Sequence, residues 1–117
     1  MILFTQKINL IMYFRYFEKY IMNLHIIALF RFKENYLIDA IELLKKLANE
    51  TRKEEGCLQY DIIEDKEQKG IFFIVELWES EEHHYKHSTT EHLDEFRIQA
   101  SKILEEKTEV YKGFKVF

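Results

Sequence analysis

The sequence predicts an α+β fold, a ferredoxin-like β-α-β-β-α-β sandwich, over residues 23–117. Two observations carry this prediction. Segments rich in β-branched and aromatic residues stand at the start, middle and end of this region, and apolar residues recur at helical spacing between them. The 117 residues are enough for one domain, and 47% hydrophobic residues are enough for a packed core.

The first half of the domain contains a predicted strand and a predicted helix. The segment NLHIIALFRF (23–32) is rich in β-forming residues, and Asn35 offers a cap for the helix that follows. Gly56 stands where a left-handed residue would end this helix after about 20 residues. The buried face of the helix is predicted to comprise Leu37, Ala40, Ile41, Leu44, Leu47, Ala48 and Thr51.

The second half begins with a predicted hairpin and ends with a strand. CLQYDIIE (Cys57–Glu64) and IFFIVELWE (71–79) have strand character, and DKEQKG between them has turn composition. Ser80 can cap a short helix that ends near His87. Ser88 and Glu91 form a capping-box pattern before another helix, and VYKGFKVF (110–117) closes the domain as a fourth strand.

The topology leaves one face of the predicted sheet uncovered. Right-handed crossovers place both long helices on the same face. The other face carries large apolar side chains that require cover. The sequence therefore predicts a homodimer in which two sheets pack face to face.

Charge and composition exclude several function classes. The formal net charge is −4, from 17 basic and 21 acidic residues, so binding to nucleic acid or to anionic membranes is not expected. Cys57 is the single cysteine, which is typical of a cytoplasmic protein, and it is expected to be a small buried residue. The sequence has no Gly-rich phosphate loop, so no nucleotide or flavin cofactor is expected.

Residues 1–22 form an N-terminal extension outside the domain. They carry a net charge of +2, and their uncharged runs are shorter than the ~20 residues of a membrane span. Three interpretations stay open: a helix packed on the domain, an amphipathic segment on a membrane surface, or an upstream extension with translation starting at Met22. We expect helix or extended structure that covers apolar surface at the domain edge.

Two sequence motifs and the closing strand resemble a known family. EEGCLQYDI (54–62) and FFIVELWESEEHHYKHSTTEHLDEF (72–96) are similar to motifs of the antibiotic biosynthesis monooxygenase family, in the same order and at the same spacing. The resemblance covers residues 23–117 and implies a dimeric α+β barrel. Family members include cofactor-free oxygenases acting on phenols and quinols, haem-degrading enzymes and an isomerase of a phosphorylated sugar.

His87 is the candidate catalytic residue, because it matches the family histidine and imidazole can accept a proton near neutral pH. Trp78 could wall an aromatic substrate, and Tyr60 could hydrogen-bond a substrate oxygen. For each of these three residues, a structural role in capping or packing is the alternative.

Glu76 is a carboxylate on a largely apolar strand, so it requires a partner or a raised pKa. Arg97 or Arg31 could supply the partner, and Glu76 and Arg97 are candidate substrate-binding residues. His25, on the first strand, either points into the same cleft or sits in the sheet.

The remaining histidines do not predict a metal site. His83 and His87 are four residues apart on one helix, but no third ligand is evident nearby. His83 and His84 follow two glutamates and are expected at the surface. His92 lies early in the next helix and could approach the cleft.

These features favour a cofactor-free monooxygenase that uses O₂ on a small phenol or quinol. One alternative is an isomerase of a small carbonyl compound. If that compound is phosphorylated, Arg31, Arg97 and Lys86 are the candidate phosphate ligands. Haem degradation is disfavoured, because Arg97 stands near the position of the family's axial histidine and the first strand lacks the family asparagine. A non-enzymatic dimeric binding or stress-response module is the remaining alternative.

Overall fold

The structure, a computed structural model, describes residues 2–117, and it describes side chains outside 2–8 and 18–20. A short 3₁₀ turn, Glu34–Tyr36, precedes the second helix. The elements are α1 (Ile2–Ile21), β1 (Leu24–Arg31), α2 (Leu37–Thr51), β2 (Cys57–Glu64), β3 (Ile71–Trp78), α3 (Glu81–Ser88), α4 (Glu91–Ser101) and β4 (Glu109–Gly113). The predicted β-α-β-β-α-β order is confirmed, with α3 as a short helix before α4.

The sheet is antiparallel throughout, with strand order β2-β3-β1-β4. Alternate residues of β1 are buried, as expected for a strand with one face on the core. That face packs against α2 and α4. The core comprises Leu24, Ile26, Ala28, Phe30 and Ile74 from the sheet, Ala40, Leu44, Leu47 and Ala48 from α2, and Leu93, Phe96 and Ala100 from α4.

The opposite side of the sheet, here named the open face, is apolar and solvent-accessible. Cross-strand pairing places Ile27 beside Val75 and Tyr111, and Phe73 beside Leu29 and Ile63. Ile27 is 47% exposed, Ile63 46% and Tyr111 62%. Antiparallel sheets often leave one face in water, but that face is then polar. The open face departs from this pattern at its centre.

The N-terminal extension forms a helix, and the part of it with described side chains, residues 9–17, does not pack on the domain. Residues 9–17 of α1 are exposed, including the large side chains of Leu10, Tyr13 and Phe14. The helix contacts α3. In the part of the chain that the structure describes, no helix is both long and apolar enough to cross a membrane.

Two predicted helix starts are wrong, and one is confirmed. Asn35 lies within the 3₁₀ turn, and Tyr36 precedes α2 without a side-chain cap. Ser88 ends α3 and donates to a carbonyl of that helix, so Thr90 occupies the position before α4. Ser80 does cap α3, because its hydroxyl accepts the backbone N–H of His83 at 3.3 Å.

Candidate active site

A tight turn after α2 brings Glu54 beneath α3. The turn ends at Gly56, whose φ of +82° is in the left-handed region as predicted, but α2 itself ends earlier, at Thr51, after 15 residues instead of about 20. A side chain at Gly56 would also collide with the ring of His83. Glycine is therefore required at this position for two reasons, the positive φ and the lack of space for a side chain. It allows the chain to pass directly from Glu54 into β2.

Glu54 joins two histidines into a cluster, here named the His–Glu–His cluster. Its Oε2 lies 2.7 Å from Nδ1 of His87 and 2.8 Å from Nε2 of His92. A carboxylate accepts hydrogen bonds, so each imidazole donates its N–H to it. His87 is buried, while the side chain of His92 is 24% exposed. The cluster thus extends from the interior towards solvent.

Glu54 determines which nitrogen of His87 can react. Because Nδ1–H is donated to the carboxylate, Nε2 is the nitrogen with a free lone pair. Burial lowers the pKa of His87 below its ordinary value, and the charges of His92 and Arg97 lower it further, while Glu54 acts in the opposite direction. Neutral imidazole, the form that accepts a proton, is therefore favoured at pH 7.

Aromatic rings hold the His87 imidazole in place. The ring of Trp78 lies 4.7 Å away, centroid to centroid, and those of Tyr60 and His84 each lie 5.8 Å away. Trp78 is fully buried. Packing on these sides restricts the rotation of His87, as a positioned base requires.

A cavity of about 300 Å³ lies between the sheet and the two C-terminal helices. This volume is at the small end of ligand sites. Its walls are apolar over most of their surface, but eight of the sixteen lining residues carry a polar or charged group. It is lined by Ile26, Ala28, Phe30, Leu47, Tyr60, Ile74, Glu76, His84, His87, Ser88, Leu93, Phe96, Arg97, Thr108, Val110 and Lys112.

Glu76 is a buried carboxyl whose partner is the indole of Trp78. Nε1–H of Trp78 donates to Oε1 of Glu76 at 2.8 Å. Burial raises the pKa of Glu76 to about 7, against the opposing effects of the indole and of Lys112. The predicted arginine partners are wrong, because Arg31 pairs with Glu106 at 3.3 Å and Arg97 donates to the backbone oxygen of Ser88 at 3.4 Å.

Four of the predicted site residues line the cavity: His87, Tyr60, Glu76 and Arg97. Two predictions need correction. Trp78 does not wall the cavity but packs against His87 and holds Glu76. His25 alternates with buried Leu24 and Ile26 on β1, so it lies on the open face and points away from the cavity.

The predicted surface positions of His83 and His84 are also corrected. His84 lines the cavity, and burial lowers its pKa to about 4, with further lowering by Lys112, His87 and Arg97. His83 is partly buried, and its Nδ1 lies 2.6 Å from the hydroxyl of Ser80. Both side chains are partly buried because α3 is short and one of its sides lies against the sheet.

Sequence reasoning missed Glu54 and Lys112. Glu54 is 33 residues from its partner His87, so no local pattern connects them. Its signal was its place at the start of the family-like motif EEGCLQYDI. Lys112 reaches the cavity because β4 pairs with β1, where Lys112 lies opposite Ile26.

The His–Glu–His cluster also offers a metal-ligand set that was not predicted. One ligand atom each from Glu54, His87 and His92 lie within 4.8 Å of one another. The O···N distances of 2.7 and 2.8 Å are those of hydrogen bonds. Ligands around a tetrahedral zinc ion would stand roughly 3.3 Å apart, so the observed geometry fits a hydrogen-bonded cluster better.

Cys57 does not contribute a nucleophile. Burial raises the pKa of its thiol to about 11, and the negative charges of Glu54 and Glu76 add to this effect. The thiol is therefore protonated at neutral pH, as expected for a packing cysteine.

Known proteins share this fold. No curated protein sequence matches the chain. Among solved structures, a conserved protein from Methanosarcina mazei Go1 is 28% identical with a TM-score of 0.78, over 86% of this chain and 98% of its own. One from Bacteroides thetaiotaomicron VPI-5482, described as a possible oxidoreductase, is 26% identical with a TM-score of 0.75, over 80% and 98%.

A third solved structure, named antibiotic biosynthesis monooxygenase, is 26% identical with a TM-score of 0.77, over 80% of this chain and 98% of its own. The family model described as antibiotic biosynthesis monooxygenase matches residues 23–99, which include β1, the hairpin and the whole His–Glu–His cluster. The chain therefore belongs to the antibiotic biosynthesis monooxygenase family.

Proposed function

We propose that the protein is a cofactor-free monooxygenase that oxidises a small phenol or quinol with O₂. The observation that carries this proposal is the neutral, buried His87, held by Glu54 at the wall of a small apolar cavity. The family, and the names of two similar structures, support an oxygenase or oxidoreductase. The substrate class and the mechanism are our inference.

The first proposed step is removal of the substrate proton. Nε2 of His87 takes the proton of the phenol, and Glu54 stabilises the imidazolium that forms. Tyr60 can donate a hydrogen bond to a substrate oxygen, because burial and the charge of Glu76 raise the pKa of its hydroxyl above the ordinary value. Apolar walls around the anion limit its solvation, so it stays reactive.

The following steps consume O₂ without another reductant. The phenolate gives one electron to O₂, and the resulting radical and superoxide combine at a ring carbon to form a C–O bond. The His87 imidazolium returns its proton to the peroxide. Loss of the ring proton then breaks the O–O bond, so one phenol and one O₂ yield one quinone and one water.

Oxygen consumption tests the proposal. Chelator-treated protein, incubated with a panel of phenols and quinols, is expected to consume one O₂ for each quinone formed. An oxygen electrode and product absorbance give the two quantities. The proposal fails if no member of the panel is oxidised faster than in buffer, or if turnover requires added metal or flavin.

We also propose that the open face forms a homodimer. A specific interface usually buries more than ~1,000 Å² in total, and the open face extends across all four strands. Ile27→Lys, at its centre, should produce a monomer, because burying an unpaired ammonium is unfavourable. Ile38→Lys is the matched control, since Ile38 is 79% exposed on α2. Sedimentation at micromolar concentration checks this, and a monomeric wild type would contradict the proposal.

A further inference from the structure

The cavity has two basic residues that the proposed chemistry does not use. Arg97 on α4 and Lys112 on β4 both line it, although they come from opposite walls. The charges of both act on the His84 imidazole, which also lines the cavity. Both cations therefore line the same cavity as His84 and lie close enough for their charges to act on its imidazole.

Neither cation has a carboxylate partner within salt-bridge distance among the residues with described side chains. Arg97 and Lys112 are both solvent-accessible, and Arg97 donates to the backbone oxygen of Ser88 at 3.4 Å, so no carboxylate compensates its charge. Arg31 and Arg52, by contrast, pair with Glu106 and Asp61 at 3.3 and 3.8 Å. The chain has 21 acidic and 17 basic residues, so carboxylates are not scarce.

Glu76, the acidic residue that lines the cavity, neutralises these two cations only in part. Its Oε1 is bound by the Trp78 indole, and its pKa of about 7 leaves it partly protonated at neutral pH. Of the three phosphate ligands considered for the isomerase alternative, Arg97 lines the cavity, whereas Arg31 and Lys86 do not. Arg97 and Lys112 are thus the cations that a bound molecule would meet.

We propose that Arg97 and Lys112 form an anion subsite, so that the substrate is a small hydroxyaromatic compound carrying a carboxylate or phosphate group. This inference rests on the proposed function for the hydroxyl end of the substrate. An Arg guanidinium binds carboxylate and phosphate oxygens in pairs, and Lys adds a point charge. The anionic group lies at the Arg97–Lys112 end, while the hydroxyl faces His87. The volume of about 300 Å³ limits the substrate to one or two rings.

Binding of matched ligands tests the subsite without any turnover. Calorimetry under anaerobic conditions compares 4-hydroxybenzoate with 4-hydroxybenzamide, a neutral compound of the same shape. We expect the acid to bind about 10-fold more tightly or better, as one charge-assisted contact provides. We also expect added salt to weaken binding of the acid. A third probe, 4-hydroxyphenyl phosphate, distinguishes the two anions: tighter binding than the acid assigns phosphate, and weaker binding assigns carboxylate.

Variants locate the effect. Arg97→Gln and Lys112→Met are each expected to reduce the acid-to-amide preference about 10-fold, whereas Lys86→Met, on the exposed side of α3, should leave it unchanged. Equal affinities of the acid and the amide for the wild type would overturn the proposal, as would a full preference in both cavity variants. The preference should persist in His87→Gln, so failure of the oxygenation chemistry would leave this result intact.

Discussion

Replacing His87 with glutamine is expected to lower turnover by ~10²-fold or more, the usual scale for a lost general base. The amide N–H of glutamine can still donate one hydrogen bond to Glu54, but the amide cannot take a proton from a phenol. The fold should survive, since the side chains are similar in size. Oxygen uptake with the best substrate of the panel measures the effect.

Two further variants separate the role of His87 from a general loss of structure. Glu54→Gln retains an acceptor for Nδ1–H but removes the negative charge, so we expect a loss of about 10-fold or more. Lys86→Ala, one residue before His87 and exposed, should retain wild-type turnover. Equal activity of the wild type and His87→Gln would remove this histidine from the mechanism.

Replacing Glu76 with glutamine is expected to remove a pH dependence of stability. Between pH 4.5 and pH 8, the difference in unfolding free energy between the variant and the wild type should shift in favour of the variant by up to about 3 kcal/mol. The folded pKa of about 7 lies above the ordinary 4.5, so the folded state binds the extra proton. The stabilising contribution of Glu76 is therefore full below pH 4.5 and is lost as pH rises through 7. Each pH unit between these values contributes about 1.4 kcal/mol.

The glutamine variant has no such pH dependence and can still accept the Trp78 N–H. Urea denaturation of both proteins at pH 4.5 and pH 8, at one protein concentration, gives the difference. His84 titrates in the opposite sense, because its pKa is lowered to about 4 and its contribution is lost as pH falls. His84 is present in both proteins, so its contribution cancels in the difference between their stabilities. A stability difference that does not change with pH would contradict the raised pKa of Glu76.

The sheet could be predicted from sequence because its signals are local. The bounds of β2 were predicted correctly, since alternation and flanking turn residues mark them in the sequence. The starts of α2 and α4 were not, because Asn35 and Ser88 have capping chemistry but their side chains are used elsewhere or not at all. A capping residue in the sequence therefore indicates the presence of a nearby helix more reliably than it indicates the residue at which the helix begins.

The site was predictable only in part, because its geometry depends on contacts between distant segments. His87 was identified by its match to the family histidine at the end of the short helix, and Glu76 by the cost of a carboxylate on an apolar strand. Glu54 could not be assigned, since its role exists only when the turn at Gly56 brings it to His87. His84 was placed at the surface because its neighbours are glutamates, but a short helix lying on the sheet buries part of its polar sequence.

The central claim, that His87 held by Glu54 takes a proton from a bound phenol, is tested most directly without oxygen. The phenolate of 4-nitrophenol absorbs at longer wavelength than the neutral phenol, so anaerobic binding below the pKa of this ligand reports the proton's position. With the wild type, the phenolate band is predicted to appear on binding and to be lost in His87→Gln. A bound neutral phenol in the wild type, or an equal phenolate band in His87→Gln, would contradict the account.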